Sequence, residues 1–186
     1  MEKVYSANLQ KSSILNQYEY SKNYLQNSEG QQNLPDFNTV NTVYMKIHST
    51  TKKSISNLTI SDYAQTVFNE GKINMLQLEY LYKLDNIVNQ YTGTNEFDII
   101  ISKFDIDLQN EKLLTENEKN VIFVTSAVAE YSNKYWSENT TSKLKNTKSF
   151  WSIVGADAGG ALVGALAGGL ALPSAVFFSL FAASVE

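Results

Sequence analysis

The chain has 186 residues and a net charge of −4, and all fifteen of its basic residues are lysines. It has no cysteine and a single histidine, His48, which excludes disulfides, thiolate chemistry and paired-histidine metal motifs within one chain. Without arginine or a positive net charge, nucleic-acid binding is not expected, whereas the length allows one domain with a substantial core and an appended tail.

Apolar residues at helical spacing indicate helices from the start of the chain. An opening amphipathic segment over residues 9–25 ends in a loop marked by Gly30 and Pro35, and a short second helix covers residues 40–47. The N-terminal segment lacks the apolar run that a secretory signal needs, so cytoplasmic residence is the default expectation.

The middle of the chain carries clear signals for the beginning and end of helices. Thr59 or Ser61 is expected to cap a helix that runs to Asn69, and Gly71 supplies a left-handed residue after it. Residues 73–91 place their apolar side chains on one helical face, which predicts a long amphipathic helix.

Gly93 marks the end of this helix, and residues 97–104 repeat the helical pattern, although residues 97–101 alone would also suit a strand. Thr115 and Glu118 form a T-x-x-E capping box, which predicts another long helix, ending near Trp136. The side chains expected on the buried face of that helix are Val121, Val124, Val128, Tyr131 and Tyr135.

The segment over residues 153–185 carries six of the nine glycines. Several of them stand four residues apart, so in a helix they form a flat strip on one face. Small residues at this spacing let a second helix approach closely, both in membranes and in buried hairpins of soluble proteins. The glycines predicted to form a helix-packing face are Gly155, Gly159, Gly160, Gly164 and Gly168.

Asp157 is the one ionisable residue between Lys148 and Glu186. A carboxylate in an apolar helix must be paired, solvated or protonated, because burying a lone charge is costly. One interpretation places Asp157 at the rim or at the N-cap of the glycine-rich helix. The other interpretation buries it with a specific partner, such as a lysine or a tyrosine of the preceding domain.

Cations and an indole precede the apolar segment, an order that is typical of a membrane interface. The possible interface anchors are Lys145, Lys148 and Trp151. After Asp157 there are 28 residues without a charge, more than the roughly 20 that span a bilayer, but Pro173 divides them. The segment would therefore form either one kinked spanning helix or a hairpin that is buried or re-entrant.

No residue pattern indicates catalysis or a cofactor. Residues 105–116 place acidic or amide groups at several ligand positions of a calcium loop, but Asn110 stands where the sharp turn needs glycine. Lys112 likewise occupies a position that is normally apolar. We therefore expect no enzyme activity, no catalytic or metal-binding residues and no cofactor.

Two stretches resemble an uncharacterised group of bacterial helical proteins. The likeness covers about residues 115–170 and rests on the pair Tyr135 and Trp136, the second tryptophan Trp151, and the ADAGGA step at residues 156–161. This resemblance implies a helical fold with a glycine-rich C-terminal segment, and it brings no catalytic residues. By composition, the tail is also similar to the glycine-zipper segments of bacteriocins and other membrane-active peptides.

Together these patterns predict an all-α protein, an irregular bundle of about six to eight helices with a glycine-rich apolar C-terminal helix or hairpin. Residues 1–145 would form a helical domain, and residues 146–186 would form the glycine-rich segment packed on it. The expected function is a helical interaction or structural module with a buried glycine-zipper helix, acting with a protein partner or as a homo-oligomer. The alternative is a membrane-inserting or tail-anchored, bacteriocin- or toxin-like protein that acts through residues 153–185.

Overall fold

In the computed structural model of the chain, all regular secondary structure of the described residues is helical. It describes two continuous ranges, residues 58–139 and 148–166, and four single residues before them, Glu19, Asn38, Thr42 and Met45. Within the two continuous ranges the chain forms five α-helices and no strand. The all-α prediction is therefore confirmed for these ranges, where residues 97–101 are helical and not a strand.

Several predictions concern residues outside the described ranges. These are the two helices expected over residues 9–25 and 40–47, and the turn expected at Pro173. The predicted total of six to eight helices, and the end of the glycine-rich segment, therefore stay predictions.

The first described helix, α1, runs over Ile60–Asn69 and begins at a capping box. The Thr59 hydroxyl accepts a hydrogen bond from the Asp62 N–H at 3.4 Å, and the Asp62 carboxylate accepts one from the Thr59 N–H at 2.9 Å. Gly71 follows the helix with a φ of 70°, a conformation that a side chain disfavours. Of the two predicted capping residues, Thr59 is therefore the cap.

The second helix, α2, runs over Met75–Tyr91 and begins at a capping box formed by Asn74 and Gln77. Both reciprocal hydrogen bonds of this box are 2.9 Å long. Gly93 has a φ of 78°, in agreement with the predicted glycine stop. The predicted apolar face is confirmed, because Ile73, Tyr80, Leu84 and Val88 are buried and the other members, Leu76, Ile87 and Tyr91, are partly buried.

Two further helices, α3 over Phe97–Asn110 and α4 over Glu116–Asn139, are joined by a short connection. The predicted capping box precedes α4: the Glu118 carboxylate accepts hydrogen bonds from the N–H and the hydroxyl of Thr115, each at 2.7 Å. Local hydrogen bonding thus determines where α4 begins.

The last described helix, α5, runs over Lys148–Leu166. It packs most extensively against α4, next against α1, and also contacts α2. Residues 154–164 of α5 are all buried. Because a helix that is buried on every side lies inside its domain, α5 is a central element of the described bundle.

The buried face of α4 differs from the prediction. Tyr131, expected in the core, is 71% exposed, and Val121, Val124 and Val128 are only partly buried. The side chains that face the core instead are mostly small or polar, namely Ile122, Thr125, Ser126, Ala129, Ser132, Asn133 and Trp136. The physical reason is the partner helix: α5 presents glycine and alanine, and a surface of small residues opposite them allows the two backbones to come close.

Candidate functional site

The most distinctive site in the described part of the chain is a buried polar cluster around Asp157. This residue is the tenth of α5 and is 6% exposed, so it lies in the interior of the bundle and does not cap the helix. Its Oδ2 accepts a hydrogen bond from the Ser132 hydroxyl and a longer one, at 3.4 Å, from Trp136 Nε1. Both donors belong to α4, where a spacing of four residues places them on one face.

A third helix contributes Tyr63 to this cluster. The Tyr63 side chain, on α1, is fully buried. Burial raises the pKa of its phenol well above the usual range, and the negative charges of Asp157 and Asp62 raise it further. Tyr63 is therefore a neutral phenol at physiological pH, and the cluster joins α1, α4 and α5.

Gly159 makes room for the Tyr63 ring. A Cβ atom added at Gly159 would lie only 2.7 Å from Tyr63 Cγ and closer still to Cδ2, distances that real Cβ atoms do not adopt. Because Tyr63 is fully buried, a side chain at position 159 would require the ring or the two helices to shift, at a cost in packing.

The other glycines of the predicted packing face differ from Gly159. A Cβ at Gly155 would lie 3.8 Å from the Leu58 carbonyl oxygen, an ordinary van der Waals contact. Gly160 and Gly164 are buried within α5, and Gly168 lies outside the described residues. Among the glycines whose neighbours are described, only Gly159 is a position where a methyl group would collide.

The possible interface anchors lie at the beginning of α5. Trp151 is partly buried, and its Nε1 is buried without a hydrogen-bond acceptor in the described part of the structure. Lys148 is the first residue of α5, and its side chain is not described; Lys145 lies outside the described residues. The three do not form a described cluster with Asp157.

Serine–aspartate pairs link other helices in the same way. The Ser61 hydroxyl, on α1, donates to Asp85 of α2 at 2.6 Å, and the Ser126 hydroxyl, on α4, donates to Asp105 of α3 at 2.8 Å. Burial raises the pKa of both carboxyls, and the serine hydrogen bonds partly oppose this shift. With Ser132 and Asp157, three such pairs connect neighbouring helices.

Sequence reasoning missed these pairs. One of its two interpretations buried Asp157 with a specific partner such as a lysine or a tyrosine; the structure places Ser132 and Trp136 beside Asp157, with Tyr63 in the same cluster. The available signal was the recurrence of serine and aspartate at positions that interrupt apolar helical faces, as at Asp85 between Leu84 and Val88.

In the described part of the chain, the cluster contains the Asp157 carboxylate and two uncharged hydrogen-bond donors, Ser132 and Trp136. In residues 58–139 and 148–166 no group of three or more acidic or histidine side chains is suited to hold a metal ion. Residues 105–110 belong to α3, so the first half of the segment that follows the calcium-loop pattern is helical. No helix in the described ranges is long and apolar enough to cross a membrane.

Comparison of the chain with protein-family models, with curated proteins and with solved structures gives no match. The interpretation of the site therefore rests on its own geometry.

Proposed function

We propose that this chain is a non-enzymatic helical module with a structural or interaction role, in which α5 is the central helix. The observation that carries the proposal is the burial of residues 154–164 on every side of α5. A helix that served only as an external anchor would have at least one face without contacts to the bundle. By contrast, α5 contacts α1, α2 and α4.

The polar groups of the interior support the same role. Asp85, Asp105 and Asp157 each accept a hydrogen bond from a serine of a neighbouring helix. Such contacts stabilise the observed pairing of the helices, because a buried carboxylate that loses its donor is left unsatisfied at a cost in free energy. A module of this kind provides a defined surface for a partner or for a second copy of the chain.

The outer side of α3 supports an interaction role. Ile99 and Ile106 are 58% and 56% exposed, and a spacing of seven residues places them on the same side of the helix. Replacing both by lysine should leave the fold intact and weaken any self-association or partner binding, as measured by sedimentation or by a pull-down. Unchanged association of this variant would argue against α3 as the contact surface.

Deletion of residues 153–185 tests the module itself. If α5 is a core helix, the deletion exposes the inner faces of α1 and α4, and the remaining chain should aggregate or lose fixed packing. Well-dispersed amide resonances and cooperative melting of the truncated chain would contradict the proposal.

A second candidate function is membrane association through the C-terminal segment. The observation that favours it is that residues 149–185 contain one charged group, Asp157. A segment of this length is enough to span a bilayer once it leaves the bundle. Flotation of the full chain with lipid vesicles tests this candidate, and no flotation under any condition would contradict it.

A further inference from the structure

Asp157 is the charged residue of the C-terminal segment and also contacts α4. It is the one ionisable residue between Lys148 and Glu186, so its neutralisation leaves 37 consecutive uncharged residues, 149–185. In the bundle its carboxylate accepts hydrogen bonds from Ser132 and Trp136, both on α4. The residue that opposes entry into lipid is therefore also the residue that fastens α5 to its main partner.

We propose that Asp157 is a latch that holds α5 in the bundle while ionised, and that protonation of its carboxyl allows the C-terminal segment to enter a lipid bilayer. This inference rests on the membrane-association candidate. In the bundle the ionised carboxylate has donors, whereas the interior of a bilayer supplies none and strongly disfavours a charge. The inserted form must therefore take up a proton, and acid must favour insertion, by up to about tenfold for each pH unit.

The described hydrogen-bond donors of Asp157 do not titrate in the acidic pH range. They are Ser132 and Trp136 of α4, which carry no charge. From α1 the facing group is Tyr63, which stays neutral, with Asp62 beyond it. The buried titratable groups of α2 are directed elsewhere: Tyr80 donates to Glu111 at 3.2 Å, and Asp85 accepts from Ser61.

The fluorescence of the two tryptophans of the chain reports on the contact between α4 and α5. Trp136 donates to Asp157, and Trp151 lies six residues before Asp157 on α5. Separation of α5 from α4 must therefore change the tryptophan emission, and transfer of Trp151 into lipid must shift it to shorter wavelength.

The test uses the full chain with vesicles of phosphatidylcholine, a zwitterionic lipid that avoids changes in attraction between charged surfaces. Flotation and tryptophan emission are followed from pH 7.5 to pH 4.5. The variants are Asp157→Asn, Ser132→Ala, the exposed control Asp107→Asn, and His48→Gln, because a histidine also titrates in this range. Melting curves at pH 7.5 without lipid establish that each variant is folded.

The parent chain should bind vesicles at least tenfold more tightly at pH 4.5 than at pH 7.5. Asp157→Asn should bind at pH 7.5 as the parent does in acid, with little pH dependence, while Asp107→Asn and His48→Gln should follow the parent. Ser132→Ala keeps the titrating group but loses a donor to the ionised form, so its binding should begin at higher pH, and it serves as the test if Asp157→Asn does not fold.

Three results would overturn the latch. Equal pH dependence in the parent and Asp157→Asn would assign vesicle binding to general acid unfolding. If the parent binds vesicles equally at every pH, membrane association is supported and the role of Asp157 as a latch is contradicted. No binding by the parent or by folded Asp157→Asn at any pH would contradict both the latch and the membrane association of the chain.

Discussion

Helices α2 and α5 bury their residues in opposite ways. The α2 helix has an apolar face with large side chains such as Leu81 and Leu84, while Glu79, Lys83 and Asn86 are exposed on its other side. The α5 helix is buried over residues 154–164 in all directions and uses mainly glycine, alanine and one aspartate. A substitution in the core face of α2 should therefore destabilise the protein when it removes volume or apolarity, whereas a substitution in α5 should destabilise it when it adds volume.

The largest effect is expected at Leu84, in the fully buried face of α2. Leu84→Asp would place an unpaired charge in the core and should lower the free energy of unfolding by about 3–5 kcal/mol, enough to unfold a marginal domain. Urea denaturation followed by circular dichroism measures this. Val128→Asp is the control, because Val128 is only partly buried and should cost about 1 kcal/mol. Equal losses in the free energy of unfolding of the two variants would contradict the partial burial of Val128 on α4.

The next effect concerns added volume in α5. Gly159→Ala would drive a methyl group into the Tyr63 ring and should destabilise the protein by about 2–3 kcal/mol. Gly155→Ala meets only ordinary contacts and should be neutral or stabilising by up to about 1 kcal/mol, because alanine favours the helix. Thermal melting compares the two. If adding Tyr63→Leu to Gly159→Ala does not recover part of the loss, the collision is not the cause.

A smaller effect is expected for the polar contact between α4 and α5. Ser132→Ala removes a donor from the buried Asp157 carboxylate and should cost about 1–2 kcal/mol. The matched control is Ser102→Ala, because Ser102 is exposed and its hydroxyl donates at 2.7 Å to the Asp98 carbonyl of its own helix. A chemical denaturation midpoint that moves equally in both variants would show that the contact with Asp157 contributes nothing specific.

The smallest effect is a pH dependence at Asp105. Burial raises the pKa of this carboxyl in the folded state, so the folded chain binds the proton more tightly than the unfolded chain does. Ionised Asp105 therefore lowers stability near pH 7, and this penalty disappears as the pH falls below its unfolded pKa. Asp105→Asn should melt higher than the parent at pH 7, with a difference that shrinks towards pH 4. A difference that grows in acid would contradict the sign of the shift.

The beginnings of α1 and α4 and the glycine that follows α2 were predictable because they depend on neighbouring residues. Thr59 and Thr115 satisfy amides within three residues of themselves, and Gly93 adopts a conformation that its own lack of a side chain allows. Hydrogen bonds of such short range leave a pattern in the sequence.

The candidate site was only partly predictable. The isolation of Asp157 in an apolar segment identified it as unusual, but neither Ser132 nor Trp136 carries a signal that distinguishes it from other residues of α4. A buried carboxylate accepts from any donor that the fold brings near, so its partners depend on how α4 and α5 pair.

Sequence patterns alone predicted that the described chain is helical, where α4 begins, where α1 begins to within two residues, and that one carboxylate interrupts the apolar segment. Only the packing of the helices showed which face of α4 is buried and that a methyl group added at Gly159 of α5 would collide with Tyr63. The physical reason is that helix formation depends on contacts within one or two turns, while burial depends on the partner surface. Because α5 is made of small residues, it selects the small, polar face of α4, centred on Ser132, over the more apolar stripe that ends at Tyr135.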